Sequence, residues 1–523
     1  MASDVYEDSI TLRIGLLEAL PVVAGQSYPL PPLRPTGQVE ERDFACVVLE
    51  NPYLRLTVLP ALGGRILRAF DKRTGLEALA SREPLTPLKT ENARGASLPD
   101  GIQWMLSGEE RLNALGPVAY QVDAPMDEGD DAAVWLAECA SAPGLSWHLR
   151  VSLPPDAALI HLQARILNRT RHALPYEAGL TLPTGWALSS PRAELTGLGR
   201  RPRGVLGPRQ VDTWSATLAP FTGLATTASS TSAAVDVGHS LKFQASRQSL
   251  GCKAVILTSD GQTLEAPLDL YPEQLLELPL GSVAPVALVL KDAQGKEMIR
   301  WGAEGLAGTD EVDGDSMDAG TRHIFYLSHG IRALKERRYA DADTDFEQAL
   351  LYNGDDPLLW WIKGVTRRLM GDLSEDRPEL PNAHYLAPLE PALRAEAFLS
   401  QPSEQSRDPN PLVAAMSPDE IVEMACLLLE HGLPDEATRW IDESLRHYDL
   451  AMLRYLQADA LLTETRMATE AAQHLMLAAS AQVPPYPWRP YEVEAVARLL
   501  KRFPADMRLR EFANLTMGEN ALG

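Results

Sequence analysis

The residues best placed to do chemistry lie on one inferred strand pair, residues 146–170, which read SWHLRVSLPPDAALIHLQARILNRT. Trp147, Leu149, Val151 and Leu153 alternate with polar neighbours, as do Ile160, Leu162, Ala164 and Ile166. Pairing positions that sum to 313 brings all of these apolar side chains to one face. The other face then sets His148 opposite Arg165, Arg150 opposite Gln163 and Ser152 opposite His161. Pro154, Pro155 and Asp156 stand where the chain reverses. A face carrying two histidines and two arginines suits proton transfer and the holding of hydroxyl or carboxylate groups. His148 is its candidate catalytic histidine and Arg165 a candidate binding residue. An antiparallel sheet also wets one face with no function attached, and the pattern fits that reading too.

Two kinds of element must position these residues. Residues 1–301 alternate apolar and polar side chains in short runs between Pro and Gly, the pattern of a large antiparallel β-sandwich. Within it, Leu54–Leu59, the turn glycines Gly63 and Gly64, and Arg65–Phe70 form a hairpin. Residues 302–322 are rich in Gly and Asp and read as an acidic linker. Residues 323–523 read as α-helical. Gly330 and Gly364 are 34 residues apart, the tetratricopeptide period, with Tyr339, Ala342, Phe346, Ala349 and Leu350 between them. Small residues at 330 and 342 let two helices approach, and Phe346 fills the groove. Gly371-Asp372 repeats the turn of Arg337-Arg338, and further units are legible at Met424–Leu445 and, more weakly, at Leu456–Ala479. Between them, Glu375–Pro411 reads as a long loop with a short helix near Pro391–Leu399.

Composition excludes several classes. The chain has 523 residues, 48 Lys plus Arg against 71 Asp plus Glu, and a net charge of −23. That balance opposes binding to nucleic acid or to anionic lipid, both of which need a basic face. Cys46, Cys139, Cys252 and Cys426 are far apart, with no CxxC, which opposes a disulfide framework or a zinc ribbon. Asp4, Glu7 and Asp8 precede any apolar run, unlike a secretory signal, and no 18-residue apolar stretch occurs. A cytoplasmic protein is the expectation. No phosphate-binding loop, HExxH or GxSxG is present, so no cofactor or metal is expected.

Asn51–Glu77, NPYLRLTVLPALGGRILRAFDKRTGLE, resembles the opening of the galactose mutarotase-like β-supersandwich. Arg94–Trp104, Ser146–Thr170 and Ser259–Glu265 resemble later segments of a bacterial domain of unknown function in that superfamily, which typically carries a tetratricopeptide tail. The resemblance implies an α+β multidomain chain: a supersandwich that holds a sugar on its concave face, followed by helical repeats. It also implies acid–base chemistry at the anomeric hydroxyl and ring oxygen, with Glu265 as the carboxylate and His148 as the histidine. Arg65, Gln103, Trp104, Arg165 and Glu177 are the implied binding residues. Trp104 would stack on a pyranose face, with Trp186 and Trp214 as further candidates.

The chain also departs from that pattern. Gln103 stands where the family shows a Glu, and an amide cannot abstract a proton. Leu106-Ser107-Gly108-Glu109 stands where a histidine usually follows, and Asp100 replaces a glycine. Three functions therefore stay open: a carbohydrate-active or carbohydrate-binding protein, a non-catalytic scaffold acting through its repeats, and a sugar sensor. Expected partners are a sugar or oligosaccharide, with a protein partner or a second copy at the repeats.

Overall fold

The structure, a computed structural model, describes residues 3–19, 33–81, 83–89, 96–98, 100–106, 116–127, 129–138, 144–170, 172–181, 186–189, 204–222, 224–238, 240–259, 262–280, 284–302, 319–372, 378–401, 410–462, 468–482 and 489–517. The first sheet holds β1 (Asp4–Ala19), β2 (Leu33–Glu50), β3 (Leu54–Leu59), β4 (Arg65–Asp71) and β5 (Leu76–Leu79), antiparallel and in chain order. The hairpin read from the sequence is β3 and β4, and Gly63 and Gly64 in its turn both have positive φ.

Short strands β6 (Leu88–Lys89), β7 (Ala96–Ser97) and β8 (Gln103–Leu106) follow. Then come β9 (Ala119–Asp123), β10 (Ala132–Glu138), β11 (Leu145–Leu153), β12 (Ile160–Asn168), β13 (Leu174–Tyr176), β14 (Ala178–Thr181), β15 (Trp186–Ser189), β16 (Gly204–Leu206) and β17 (Val211–Pro220). Six of these make a second sheet in the order β15-β17-β12-β11-β10-β9. Its inner face packs on the first sheet, where Leu49, Leu56 and Val58 meet Val134, Leu149 and Leu162 in one core. Each such side chain contributes about 1.5–3 kcal/mol by leaving water.

The strands from 228 onward do not extend this sandwich. β18 (Ala228–Ser229), β19 (Ala233–Val237), β20 (Ser240–Ala245), β21 (Ser249–Thr258), β22 (Thr263–Leu270), β23 (Leu275–Pro279), β24 (Pro285–Lys291) and β25 (Glu297–Trp301) form two four-stranded sheets. These close on their own core around Phe243, Ile256, Leu288 and Leu290. Where one sandwich was expected over 1–301, there are two. Alternation marks a strand but not the sheet it joins.

The helical half comprises α1 (Ala319–Lys335), α2 (Tyr339–Tyr352), α3 (Pro357–Leu369), α4 (Glu379–Leu386), α5 (Pro391–Leu399), α6 (Pro411–Ala414), α7 (Pro418–Glu430), α8 (Pro434–Ser444), α9 (Ala451–Ala460), α10 (Ala468–Ala478), α11 (Pro490–Arg502) and α12 (Met507–Met517). α1 begins inside the stretch expected as linker, and residues 303–318 lie outside the described residues. The close approach of α1 to α2 is as the repeat implied: a Cβ on Gly330 would sit 2.5 Å from the Phe346 ring, and Phe346 and Ala342 are fully buried. Arg337, Gly371 and Gly432 all adopt positive φ just past a helix end, so the turn recurs as read and reaches the later unit as well. The expected helix near Pro391 is α5, but α4 occupies another part of the supposed loop. Pro381 hides α4 in the sequence. It falls in the first turn, where a helix has no partner for that N–H anyway.

The two halves are joined. Leu167 of β12 belongs to the helical core. Arg169, just past β12, bonds Glu390 before α5 and Glu423 of α7. Arg209 lies 3.5 Å from Asp356, whose other carboxylate oxygen caps α3. No helix among the described residues is long and apolar enough to cross a membrane.

Candidate functional site

The outer face of the second sheet is the floor of a cleft. β11 and β12 pair in the register expected, with His148 opposite Arg165, Arg150 opposite Gln163 and Ser152 opposite His161. The eight apolar residues that alternate with them all lie in the inner core. Neighbouring strands continue the polar rows. One row runs Gln121, Trp135, Arg150, Gln163, Ser215 across five strands, and the next runs Ala137, His148, Arg165, Thr213. On β10, Val134 and Leu136 point to the core while Ala133, Trp135 and Ala137 face out.

The wall comes from the helical half. His384 and Tyr385 of α4, and Pro388 after it, face the sheet across a cavity of about 880 Å³. Tyr385 is 76% exposed, so its ring is open to the cleft. The volume falls within the range of small-ligand sites, and the position between two structural units is a common one for them. Gln121, Asp123, Arg150, Gln163, Arg165, Thr213 and Ser215 supply polar groups around the indole.

The charges in the cleft are unequally matched. Arg150 is 3.2 Å from Asp123 and 3.9 Å from Asp131. Arg165 has no carboxylate partner among the described residues, and its Nη1 is buried without a hydrogen bond. His161 shares a hydrogen bond of 3.2 Å with Thr217 and is shifted down, chiefly by burial. His148 is buried beside Arg165, and its Nε2 has no hydrogen-bond partner among the described residues. Burial pushes its pKa down to about 4, Arg169 and Arg165 push the same way, and Glu390 only partly offsets them. It is therefore neutral at pH 7. An unfolded histidine takes up a proton near pH 6.5, while the folded one resists until about 4. Stability from this residue is complete above 6.5 and falls away as pH drops toward 4, by up to about 3 kcal/mol. Urea unfolding across pH 4–7 should show His148→Gln less acid-sensitive than wild type over that window. Equal slopes would remove the assignment.

The other expected site residues lie elsewhere. Arg65 is fully buried, donating to the carbonyls of Leu62, Leu98 and Asp100 and to Gln103 Oε1. It and Gln103 thus hold the turn after β7, not a cleft ligand. Trp104 and Trp214 pack against each other in the inner core with tilted rings, centroids 5.1 Å apart. Trp186 donates to Ala78 O. Glu177 lies between β13 and β14 and does not line the cleft. Glu265 stands on β22 of the second sandwich, its carboxylate exposed and 2.5 Å from Lys253. It stands on a different sheet from His148, and neither residue lines the cleft, so the structure does not bring the expected acid–base pair together there. Ser107, Gly108 and Glu109 fall outside the described residues.

Trp135, Gln121, Asp123 and Tyr385 were not read as site residues. A signal existed for Trp135, because it takes the polar phase of AAVWLAE while Val134 and Leu136 take the apolar one. Tyr385 offered none, since its helix was not legible. Among the described residues no cluster of His, Cys, Asp or Glu is arranged to hold a metal.

Residues 28–181 match the model of a domain of unknown function, DUF5107. A TPR-domain containing protein from Parabacteroides distasonis is 12% identical, with 99% of this chain and 98% of that chain covered and a TM-score of 0.30. A galactose mutarotase-like protein from Clostridium acetobutylicum is 9% identical over 49% of this chain and 84% of that one, with a TM-score of 0.21. A galactose mutarotase related enzyme from Lactobacillus acidophilus is 8% identical over 45% of this chain and 95% of that one, with a TM-score of 0.19. The chain is thus similar to a DUF5107 domain over residues 28–181, and its likenesses to these solved structures are of low identity and low TM-score.

Proposed function

We propose that this chain binds carbohydrate in the cleft between the second sheet and α4. One observation carries the reading: the half-buried indole of Trp135 sits in a row with an amide, a guanidinium, an amide and a hydroxyl. Sugar rings present C–H groups on their faces and hydroxyls around their edges. An aromatic plate ringed by side chains that can both donate and accept matches that pattern. Tyr385 across the cleft offers a second aromatic surface. Asp123 is engaged by Arg150 and serves here as an acceptor and counter-charge. Binding is what the lining supports.

The test is a thermal-shift screen of mono- and oligosaccharides against the full chain. A ligand at 100 times its dissociation constant raises stability by about 2.7 kcal/mol, which is a visible shift. Trp135→Ala should lose that response, each protein's shift being read against its own unliganded melting temperature.

A further inference from the structure

Resting on the carbohydrate reading of the cleft, we infer that the preferred saccharide is anionic, a uronic acid whose carboxylate is held by Arg165. Of the two arginines that line the cleft, Arg150 is paired and Arg165 has no carboxylate partner among the described residues, and Arg169 past the end of β12 is paired as well. Arg150 has Asp123 and Asp131, and Arg169 has Glu390 and Glu423. Arg165 lies between them on the floor, lines the cavity, and meets no carboxylate among the described residues. Its cross-strand neighbours are His148 and Thr213, neither of which brings a negative charge. Its Nη1 is closed to solvent with no acceptor among the described residues, so those residues leave this charge uncompensated. The planar fork of arginine fits a carboxylate through two parallel bonds, and this geometry distinguishes it from a lysine. Thr213 and Ser215, which line the cavity beside it, are placed for hydroxyls of the same ring. An overall charge of −23 repels anions at long range, so a retained local cation is needed for an acidic sugar to bind.

The experiment titrates oligogalacturonate and oligoglucuronate, their neutral galactose and glucose counterparts, and sulfated oligosaccharides into the full chain by calorimetry. Wild type should bind one uronate at least tenfold more tightly than its neutral counterpart, with affinity falling as salt rises. Arg165→Gln should erase that ratio and Arg165→Lys should restore only part of it. Both variants should melt at or above wild type, because no partner among the described residues is lost. Trp135→Ala should weaken acidic and neutral sugars alike. Equal binding of uronate and neutral sugar by wild type, or an unchanged ratio in Arg165→Gln, overturns this inference and leaves the carbohydrate reading standing. A preference for sulfated over carboxylated sugars overturns the uronate assignment. Binding of no sugar at all removes both.

Discussion

Replacing Arg169 with alanine should destabilise the protein by about 3–5 kcal/mol, the range for removing one partner of a buried ion pair. Arg169 Nη1 donates to both Glu390 carboxylate oxygens at 2.9 Å, and Nε donates to Glu423 Oε1 at 2.7 Å. All three side chains are nearly or fully buried. Without the guanidinium, Glu390 loses the donor to both its oxygens and Glu423 keeps, among the described residues, Arg489. Lysine should not rescue, because a point charge cannot reproduce the fork that spans two carboxylates. The consequence reaches the cleft, since Glu390 is the N-cap of α5 and α4 immediately precedes it as the wall. Denaturant unfolding at pH 7 checks the figure, and a loss under about 1 kcal/mol would contradict it. Acid should act in the same direction. Burial alone would raise the Glu423 pKa, but Arg169 and Arg489 outweigh it and hold the carboxyl below its ordinary range. Stability from that residue is present above about pH 4.3, its unfolded value, and is lost as pH falls below it. Arg169→Ala should weaken this acid dependence.

The second large effect is expected at Arg65. Arg65→Ala should cost roughly 3 kcal/mol or more. Four buried or partly buried acceptors lose a charged donor, at about 1–3 kcal/mol each and not additively. Gly101 shows how tightly this corner is packed, because a Cβ there would lie 2.8 Å from the Ile66 carbonyl oxygen. A sugar-contacting arginine behaves differently: its removal weakens binding and leaves the melting temperature alone. Arg65→Ala with unchanged stability and lost sugar binding would restore the reading that the sequence suggested.

How far the sequence spoke depended on the range of the interaction. The pairing of β11 with β12 was legible to the residue, because side-chain alternation and a short Pro-Pro-Asp turn both constrain it locally. The α1–α2 contact was legible for the same reason, Gly330 and Phe346 being fixed by one repeat. Sheet membership is not local. Nothing in Thr263–Leu270 states that β22 belongs to a second sandwich, so Glu265 was placed with a histidine it never meets. Trp104 was legible as a tryptophan but not as core, since its partner Trp214 is distant in sequence. The wall of the cleft was hidden outright, because a proline in its first turn made α4 read as loop.

The most direct measurement is a calorimetric titration of the best saccharide from the screen into wild type and Trp135→Ala at equal concentration. The cleft account predicts that the variant binds at least roughly tenfold more weakly, as for an aromatic anchor at the centre of a binding surface, while remaining folded at the temperature of the titration. Wild-type affinity in Trp135→Ala would place the sugar elsewhere and contradict the account.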